Sequence, residues 1–333
     1  MINFGICVAA FIFGVYLGIF STAIICVGNM KWKGSIKMHD VFFFTDIHGQ
    51  YPLFNAMRNW CYKQDEECII IYGGDAADRG PDGYRIIKEL LDDPRIVYIY
   101  GNHEDLFIKA ADAIIGAYAN NDERYEFLHN CDHNRAIFIL KDMSAHYNED
   151  VRLHIHNGGE STLLAWLEDG ANEEIIDRLR NLPRTFSYEN IDFCHAGSCY
   201  NAFKAVAEAE YNNTTRPWYD EEMLIWDRDG IALGWETNRI CVHGHTPTIY
   251  LPARAYGRDK SESNIHPCSW HDMMGSKDKR GGLKIDMDTG MTFTGRAFIL
   301  NCLTMKATGF DDPAVRNPGV PHYVTTIEEY KMM

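Results

Sequence analysis

Residues 70–83 read IIYGGDAADRGPDG, an apolar run that turns abruptly into a polar loop. Within the eleven residues 73–83 the chain has three aspartates, one arginine and four glycines. Glycines allow tight turns and let a ligand come close to the backbone. The stretch is therefore compatible with three kinds of site: a glycine-rich phosphate cradle, a calcium loop, or the metal-bearing edge of a hydrolase.

Two of these readings fail on spacing. The aspartates lie at positions 75, 78 and 82, which does not match the alternate-residue pattern of an EF-hand calcium loop. The loop also lacks the GK[ST] ending of a phosphate-binding P-loop. The metal-bearing edge of a hydrolase is the reading that the rest of the chain has to support.

Short apolar runs predict a sheet that is covered on both faces. Residues 40–45 (DVFFFT), 68–72 (CIIIY) and 96–100 (IVYIY) are nearly continuous apolar segments, and helical spacing of apolar residues separates them. The predicted order is therefore β-α-β-α-β, followed by a mostly helical insertion over 105–183. A second set of strands is predicted at 191–195, 239–243, 282–287 and 292–302. The fold class is α/β.

The N-terminal segment predicts a membrane anchor. Residues 1–30 contain no charged residue and are long enough to cross a bilayer core of about 30 Å, and three lysines follow within a basic linker at 31–39. Because the basic residues come after the apolar run, the positive-inside rule places the rest of the protein in the cytoplasm. Two alternatives stay open: a later start at Met30 or Met38, and cleavage near Ala23.

Composition limits the partners. The 333 residues are 46% hydrophobic and carry a formal net charge of −15, which argues against a general nucleic-acid binder because such proteins need a basic surface. The ten cysteines are scattered singly, so we expect buried thiols. A long polar loop at 252–280 is expected to form a lid, and 309–333, with three prolines, is expected to be a tail.

Polar side chains follow the predicted strands where each strand ends, and in α/β sheets sites form at these ends. Aspartate, histidine and asparagine donors without cysteine pairs suit borderline or hard divalent ions such as manganese, iron or zinc. Of these, manganese is the metal we expect. Asp46 and His48 share one side of an extended segment, and Asp75, on the middle strand, is placed to bridge two ions. The candidates are Asp46, His48, Asp75, Asp78, Arg79, Asn102, His103, His195, His243 and His245.

The motifs DIHG, GDAADRG and GNHE, in this order and just under 30 residues apart, resemble the phosphoprotein phosphatase family of calcineurin-like metallophosphatases. The later HAG, LIWDR, GHTP and IDMDTG resemble the branch typified by the bacteriophage lambda protein phosphatase. The resemblance covers about residues 40–302 and implies two facing mixed β-sheets flanked by helices, with a catalytic domain at 40–308.

The resemblance also implies roles. A first metal would be held by Asp46, His48 and Asp75, and a second by Asp75 together with three further residues. A hydroxide that bridges the two ions would attack phosphorus in line. The implied residues are Asn102, His195 and His245 for the second metal, His103 as general acid held by Asp78, and Arg79, Arg228 and Asn102 for the substrate phosphate.

Three functions follow, in order of preference. The first is a metal-dependent protein serine/threonine phosphatase that also accepts phosphotyrosine, with a phosphoprotein or phosphopeptide as partner. The second is a diadenosine tetraphosphate hydrolase or related nucleotide phosphohydrolase, and the third is a membrane-tethered phosphoprotein-binding module without catalysis. Two local points stay open. IDMDTG has two aspartates, Asp286 and Asp288, where the family it resembles has the single aspartate of IDTG. His243 is either a metal ligand or a group that orients the ligands, and the GHTP motif favours His245 as the ligand.

Overall fold

The computed structural model describes residues 39–119, 122–145, 148–230, 233–251, 268–271, 282–316 and 325–331. The predicted anchor at 1–30, all but the last residue of the linker, and most of the predicted lid lie outside these residues. Within the described ranges, no helix is both long and apolar enough to cross a membrane.

The first sheet is mixed and has six strands in the order β11-β10-β9-β1-β2-β3. Strands β1, β2 and β3 run parallel, and β9, β10 and β11 are added antiparallel beside β1. The bounds are β1 Val41–Phe44, β2 Ile69–Tyr72, β3 Ile96–Tyr98, β9 Arg296–Asn301, β10 Lys306–Asp311 and β11 Thr325–Lys331.

The second sheet is also mixed and has five strands in the order β4-β5-β6-β8-β7. Its centre is parallel (β5, β6, β8), and β4 and β7 pair antiparallel at its two sides. The bounds are β4 Phe186–Tyr188, β5 Ile191–Phe193, β6 Ile240–His243, β7 Cys268–His271 and β8 Leu283–Asp286.

Side-chain alternation along β1 explains the layering. Phe43 packs between the two sheets, where its ring stacks on Phe193 of the second sheet with ring centroids 5.4 Å apart. Phe42 and Phe44 face the helices on the other side of the first sheet. Because successive strand residues point to opposite faces, a run of three phenylalanines serves two cores at once. The expectation of an α/β fold with two mixed sheets flanked by helices is confirmed.

Helices cover both outer faces. The first two helices connect the parallel strands of the first sheet, and six more fill the region between β3 and β4, which includes the segment 105–183. The bounds are α1 Tyr51–Gln64, α2 Gly83–Asp92, α3 Asn102–Tyr118, α4 Asp122–His129, α5 His133–Ala145, α6 Glu149–His156, α7 Glu160–Glu168, α8 Glu173–Arg180, α9 Tyr200–Tyr211, α10 Trp218–Trp226, α11 Met291–Thr294 and α12 Pro313–Arg316.

The expectation of a C-terminal tail at 309–333 is wrong. The fold does not end at residue 308, because β10 runs through that position and β11 continues the sheet by pairing with β10. The prolines suggested a tail, but they lie between the two strands and leave the pairing backbone free. The predicted lid at 252–280 contains β7, which pairs with β8.

Candidate active site

Two loops at the end of the first sheet are joined backbone to backbone. The Asp46 N–H donates to Gly74 O at 3.1 Å, and the His48 N–H donates to Asp75 O at 3.0 Å. Asp46, His48 and Asp75 all have positive φ angles, of 56°, 46° and 58°. Such left-handed backbone is unusual outside glycine and costs roughly 1–3 kcal/mol per residue where the surroundings impose it. The surrounding structure therefore imposes turns at these three candidate ligands, and the extended segment expected at Asp46 and His48 does not form.

Asp75 lies between two sets of histidines. Its Oδ2 is 3.6 Å from His48 Nε2 and 3.9 Å from His103 Nε2, while its Oδ1 is 3.3 Å from His195 Nε2. The two oxygens of one buried carboxylate thus face opposite halves of the site. This is the arrangement that a carboxylate shared by two ions requires.

The second half of the site comes from the other sheet. The side-chain oxygen of Asn102 is 3.0 Å from His195 Nε2 and 2.8 Å from His245 Nδ1. His195 follows β5 and His245 follows β6, whereas Asn102 is the first residue of α3. Both sheets therefore supply donors to one small buried volume.

The described residues contain two groups whose ligand atoms lie within 4.8 Å of one another: His48, Asp75 and His103, and Asp75, His195 and His245. Asp75 belongs to both groups. The first group has His103 where the sequence predicted Asp46. Asp46 is buried beside the second group, where its carboxylate accepts the N–H of His245 at 3.2 Å. Its role as a ligand stays a prediction.

The charges at the site fit divalent cations. Burial, reinforced by the charge of Asp288, raises the pKa of Asp46 well above its usual range. Burial alone would also raise the pKa of Asp75, but His195 and His103 hold it well below its usual range. Clustered buried carboxylates need positive charge nearby, and two divalent ions with oxygen and imidazole ligands supply it.

Asp78, Arg79 and His103 form a third part of the site. His103 Nδ1 is 2.7 Å from Asp78 Oδ2, so the carboxylate orients the ring. The guanidinium of Arg79 lies 2.9 Å from His103 Nε2 and 2.9 Å from His48 Nε2. An acid–base pair and a cation therefore stand directly beside the shared Asp75.

The two arginines expected to hold phosphate are both exposed at the rim of the buried site. Arg228 follows α10, and its guanidinium donates to the backbone oxygen of His245 at 3.0 Å. Arg79 extends over the other half of the site. An anionic substrate can thus meet positive charge from both sides before it meets the buried carboxylates.

Sequence reasoning missed a positioning role for Glu104. This fully buried residue accepts the N–H groups of Asp75 and Ala76, each at 2.8 Å, and that of Gly101 at 3.0 Å. Tyr98 donates a fourth hydrogen bond. Glu104 occupies the third position of α3, where a glutamate that bonds back to the helix start is a known capping signal, so the E of GNHE could have been assigned.

The open points of the sequence analysis resolve in part. Asp288 is buried and interacts electrostatically with Asp46, and burial raises the pKa of Asp288 to about 6. His243 packs against Gly197 and is not part of either metal-binding group of the described residues. Asp82 directly precedes α2 but makes no side-chain hydrogen bond to cap that helix.

Residues 39–258 match the sequence model of one protein family, which is described as calcineurin-like phosphoesterase. The chain belongs to the calcineurin-like phosphoesterase family. The family assignment covers both sets of site residues through His245, and it agrees with the presence of two groups able to hold divalent metals. The branch within the family is not decided by this match.

Similar proteins carry different activities. The symmetrical bis(5'-nucleosyl)-tetraphosphatase of Buchnera aphidicola subsp. Schizaphis graminum is 28% identical over 182 residues, which are 54% of this chain and 59% of that protein. A cold-active protein-tyrosine phosphatase of a Shewanella species is 14% identical, with a TM-score of 0.40 over 87% of this chain and 81% of its own. A protein serine/threonine phosphatase of Saccharomyces cerevisiae is 10% identical, with a TM-score of 0.37 over 89% and 81%.

Proposed function

We propose that this chain is a metal-dependent phosphomonoesterase of the lambda-phosphatase-like branch, acting on phosphoserine and phosphothreonine in proteins and also on phosphotyrosine. The observation that carries the proposal is the contact of His103 with Asp78, 2.7 Å apart, directly beside the shared carboxylate of Asp75. A phosphomonoester of serine or threonine has a poor leaving group, and a held imidazole is the group that can protonate it.

The bound metals would supply a nucleophilic water of low pKa and screen the charge of the phosphate. These ions would be held by Asp46, His48, Asp75, Asn102, His195 and His245, with manganese as the preferred metal. No covalent link between the protein and phosphate is required, because none of these side chains has to act as a nucleophile.

The chain's own residues do the rest. Arg79 and Arg228 bind the phosphate oxygens from opposite sides of the site and orient the ester. His103 passes a proton to the leaving oxygen, and Asp78 fixes the ring through Nδ1 so that Nε2 is the nitrogen that faces the substrate. The burial of Asp75 and His195 keeps bulk water away from the reacting atoms.

A symmetrical dinucleoside tetraphosphatase is the second candidate. It is supported by the 28% identity to the Buchnera protein, which this chain matches over 59% of that protein's length. Against it stand the DRG ending of the second motif and the later LIWDR and GHTP motifs, which favour the phosphatase branch. The two candidates share the metal-binding side chains and differ in the substrate.

A substrate panel tests the proposal. The purified chain is loaded with manganese, iron or zinc and assayed on a phosphoserine peptide, a phosphotyrosine peptide, p-nitrophenyl phosphate and diadenosine tetraphosphate. We expect the phosphopeptides to be the better substrates and chelator to remove most of the turnover of every substrate. We expect His103→Asn to remove most of the turnover of the phosphoserine peptide. Preferential cleavage of diadenosine tetraphosphate would establish the second candidate, and full turnover in chelator would refute both.

The apolar N-terminal segment bears on where the protein is located in the cell. We propose that the catalytic domain lies in the cytoplasm, anchored by residues 1–30. Mass spectrometry of the native N-terminus, combined with membrane fractionation, tests this. Retention of residues 1–30 in the membrane pellet supports the anchor, whereas a native start at Met30 or Met38 contradicts it.

A further inference from the structure

Asp78 lies between two histidines, and the proposed function uses only one of them. Its Oδ2 is 2.7 Å from His103 Nδ1, and its Oδ1 is 3.4 Å from His154 Nε2. Asp78 and His154 are both fully buried. Among the described residues, neither Asp78 Oδ1 nor either ring nitrogen of His154 has a hydrogen-bond partner, so the two buried groups face each other unpaired. His154 therefore faces the carboxylate oxygen that His103 leaves free.

The segment that carries His154 also holds the loop that carries Asp78. The Arg79 N–H donates to Gly158 O at 2.9 Å, and the Asp78 N–H donates to the Thr162 hydroxyl at 3.0 Å. The Ser161 hydroxyl donates to Gly80 O at 2.7 Å. Three hydrogen bonds thus fix the distance between the two segments, so the position of His154 relative to Asp78 is set independently of the two side chains.

The pocket around His154 fixes its ring. On one side the ring stacks on Phe107, with centroids 5.8 Å apart and planes 27° apart. On the other side is Gly159, where a Cβ atom would lie 2.2 Å from Nε2. Only glycine permits this approach. Burial lowers the pKa of His154, so the ring is neutral and carries one N–H.

We propose that His154 is a positioning residue for the general acid: its Nε2–H holds Asp78 Oδ1, so that Asp78 Oδ2 keeps His103 aligned with the leaving oxygen. This inference rests on the proposed phosphomonoesterase function. A carboxylate held at one oxygen can rotate about its Cβ–Cγ bond, whereas a carboxylate held at both oxygens has its plane fixed. Outer groups of this kind orient the residues that contact the substrate.

The consequence lies in one step of the reaction. As the bond between phosphorus and the ester oxygen breaks, its electron pair stays on that oxygen and takes the proton from His103 Nε2. A good leaving group such as p-nitrophenolate needs little help from this proton, whereas phenolate or a serine alkoxide needs it. A misaligned His103 therefore slows poor leaving groups selectively.

Two nearly isosteric variants test the proposal, assayed by kcat/KM on phenyl phosphate and p-nitrophenyl phosphate. His154→Gln keeps an N–H donor near the position of Nε2, and His154→Met has similar length without one. We expect His154→Met to lose about tenfold on phenyl phosphate and less than about twofold on p-nitrophenyl phosphate, and His154→Gln to keep both within about twofold. His156, exposed on the same helix, supplies the matched controls His156→Gln and His156→Met, which should change neither rate.

Equal losses on both substrates, or a glutamine variant as impaired as the methionine variant, would overturn the proposal. A second measurement uses the native protein and needs no turnover: ¹⁵N-histidine NMR reports which ring nitrogen carries the proton. We expect the Nε2–H tautomer for His154, and an Nδ1–H tautomer would overturn the proposal even if His154→Met does not fold. A native chain that hydrolyses no phosphomonoester would instead refute the proposed function, and the tautomer would still decide the role of His154.

Discussion

The loops that each sheet contributes to the site are held by buried side chains of opposite charge. At the end of the first sheet, buried Glu104 of α3 accepts the backbone N–H groups of Asp75, Ala76 and Gly101. On the second sheet, the fully buried ammonium of Lys284 donates to the carbonyl oxygens of Gly197 and Gly230, at 2.8 and 3.0 Å, and to that of Ser198.

This difference follows from the backbone. The loops of the first sheet turn their N–H groups inward, so a carboxylate satisfies them, whereas the loops beside His195 and Arg228 turn their carbonyl oxygens inward, so a cation does. A buried charge is tolerated where it is fully hydrogen-bonded, and both of these charges have several hydrogen-bond partners. The two halves should therefore respond differently to mutation and to pH.

The largest effect is expected at the carboxylate that joins the halves. Asp75→Asn keeps the size of the side chain but removes the charge that both metal-binding groups share. We expect turnover of p-nitrophenyl phosphate to fall on the order of 10³-fold, because two cations lose their common ligand. Asp82→Asn, in the same loop but without a side-chain cap contact, is the control and should retain the parental rate.

Glu104→Gln tests how the first half is held. The amide nitrogen that replaces one oxygen cannot accept a backbone N–H, so at least one buried donor loses its partner. We expect the free energy of unfolding, measured in urea, to fall by about 3 kcal/mol. A loss below about 1 kcal/mol would mean that Glu104 does not hold the Asp75 loop. Glu66→Gln, at an exposed carboxylate between α1 and β2, serves as the control for charge removal.

Lys284→Met should cost less than Glu104→Gln. The variant leaves carbonyl oxygens without a donor, but it also removes a charge that is expensive to bury. We expect a loss of about 1–2 kcal/mol in the same urea assay at pH 7. If Lys284→Met lowered the free energy of unfolding more than Glu104→Gln does, the idea that desolvation of the ammonium offsets part of its hydrogen bonding would be contradicted.

The smallest effect is a pH dependence confined to the second half. Burial lowers the pKa of Lys284 from its ordinary 10.5 to about 8. Between these values the unfolded chain binds more protons than the folded one, so stability rises with pH there. The difference in unfolding free energy between the parent and Lys284→Met should therefore rise by about 1 kcal/mol from pH 8 to pH 9, below the limit of about 1.4 kcal/mol per pH unit. A flat or falling difference would contradict the lowered pKa.

Local patterns carried most of the fold. The run Phe42, Phe43 and Phe44 predicted a strand that is buried on both faces. A parallel sheet between two layers has no solvent-exposed face, so its strands contain no alternating polar residues. The strand β11 could not be predicted in this way, because its segment TTIEEYK has only two apolar residues and follows three prolines. Its place depends on pairing with β10, which the local sequence does not encode.

The site divides in the same way. Short motifs predicted site roles for Asp46, His48, Asp75 and His103, because each motif comes soon after a strand. Lys284 was not found, since a lysine in a strand ordinarily faces solvent. The burial of His154 could not be predicted either, since a histidine in a helix ordinarily faces solvent as well. Only contacts between residues far apart in the chain reveal their burial: Lys284 Nζ on Gly197 O, and His154 beside Asp78.

The central claim is that Asp75 joins two metal sites, one from each half of the molecule. The most direct test measures how many manganese ions the metal-free parent binds, by equilibrium dialysis with metal analysis. Two groups share Asp75, so the account predicts two ions per chain for the parent and a loss of both in Asp75→Asn. A parent that binds a single ion, or an Asp75→Asn variant that retains two, would contradict it.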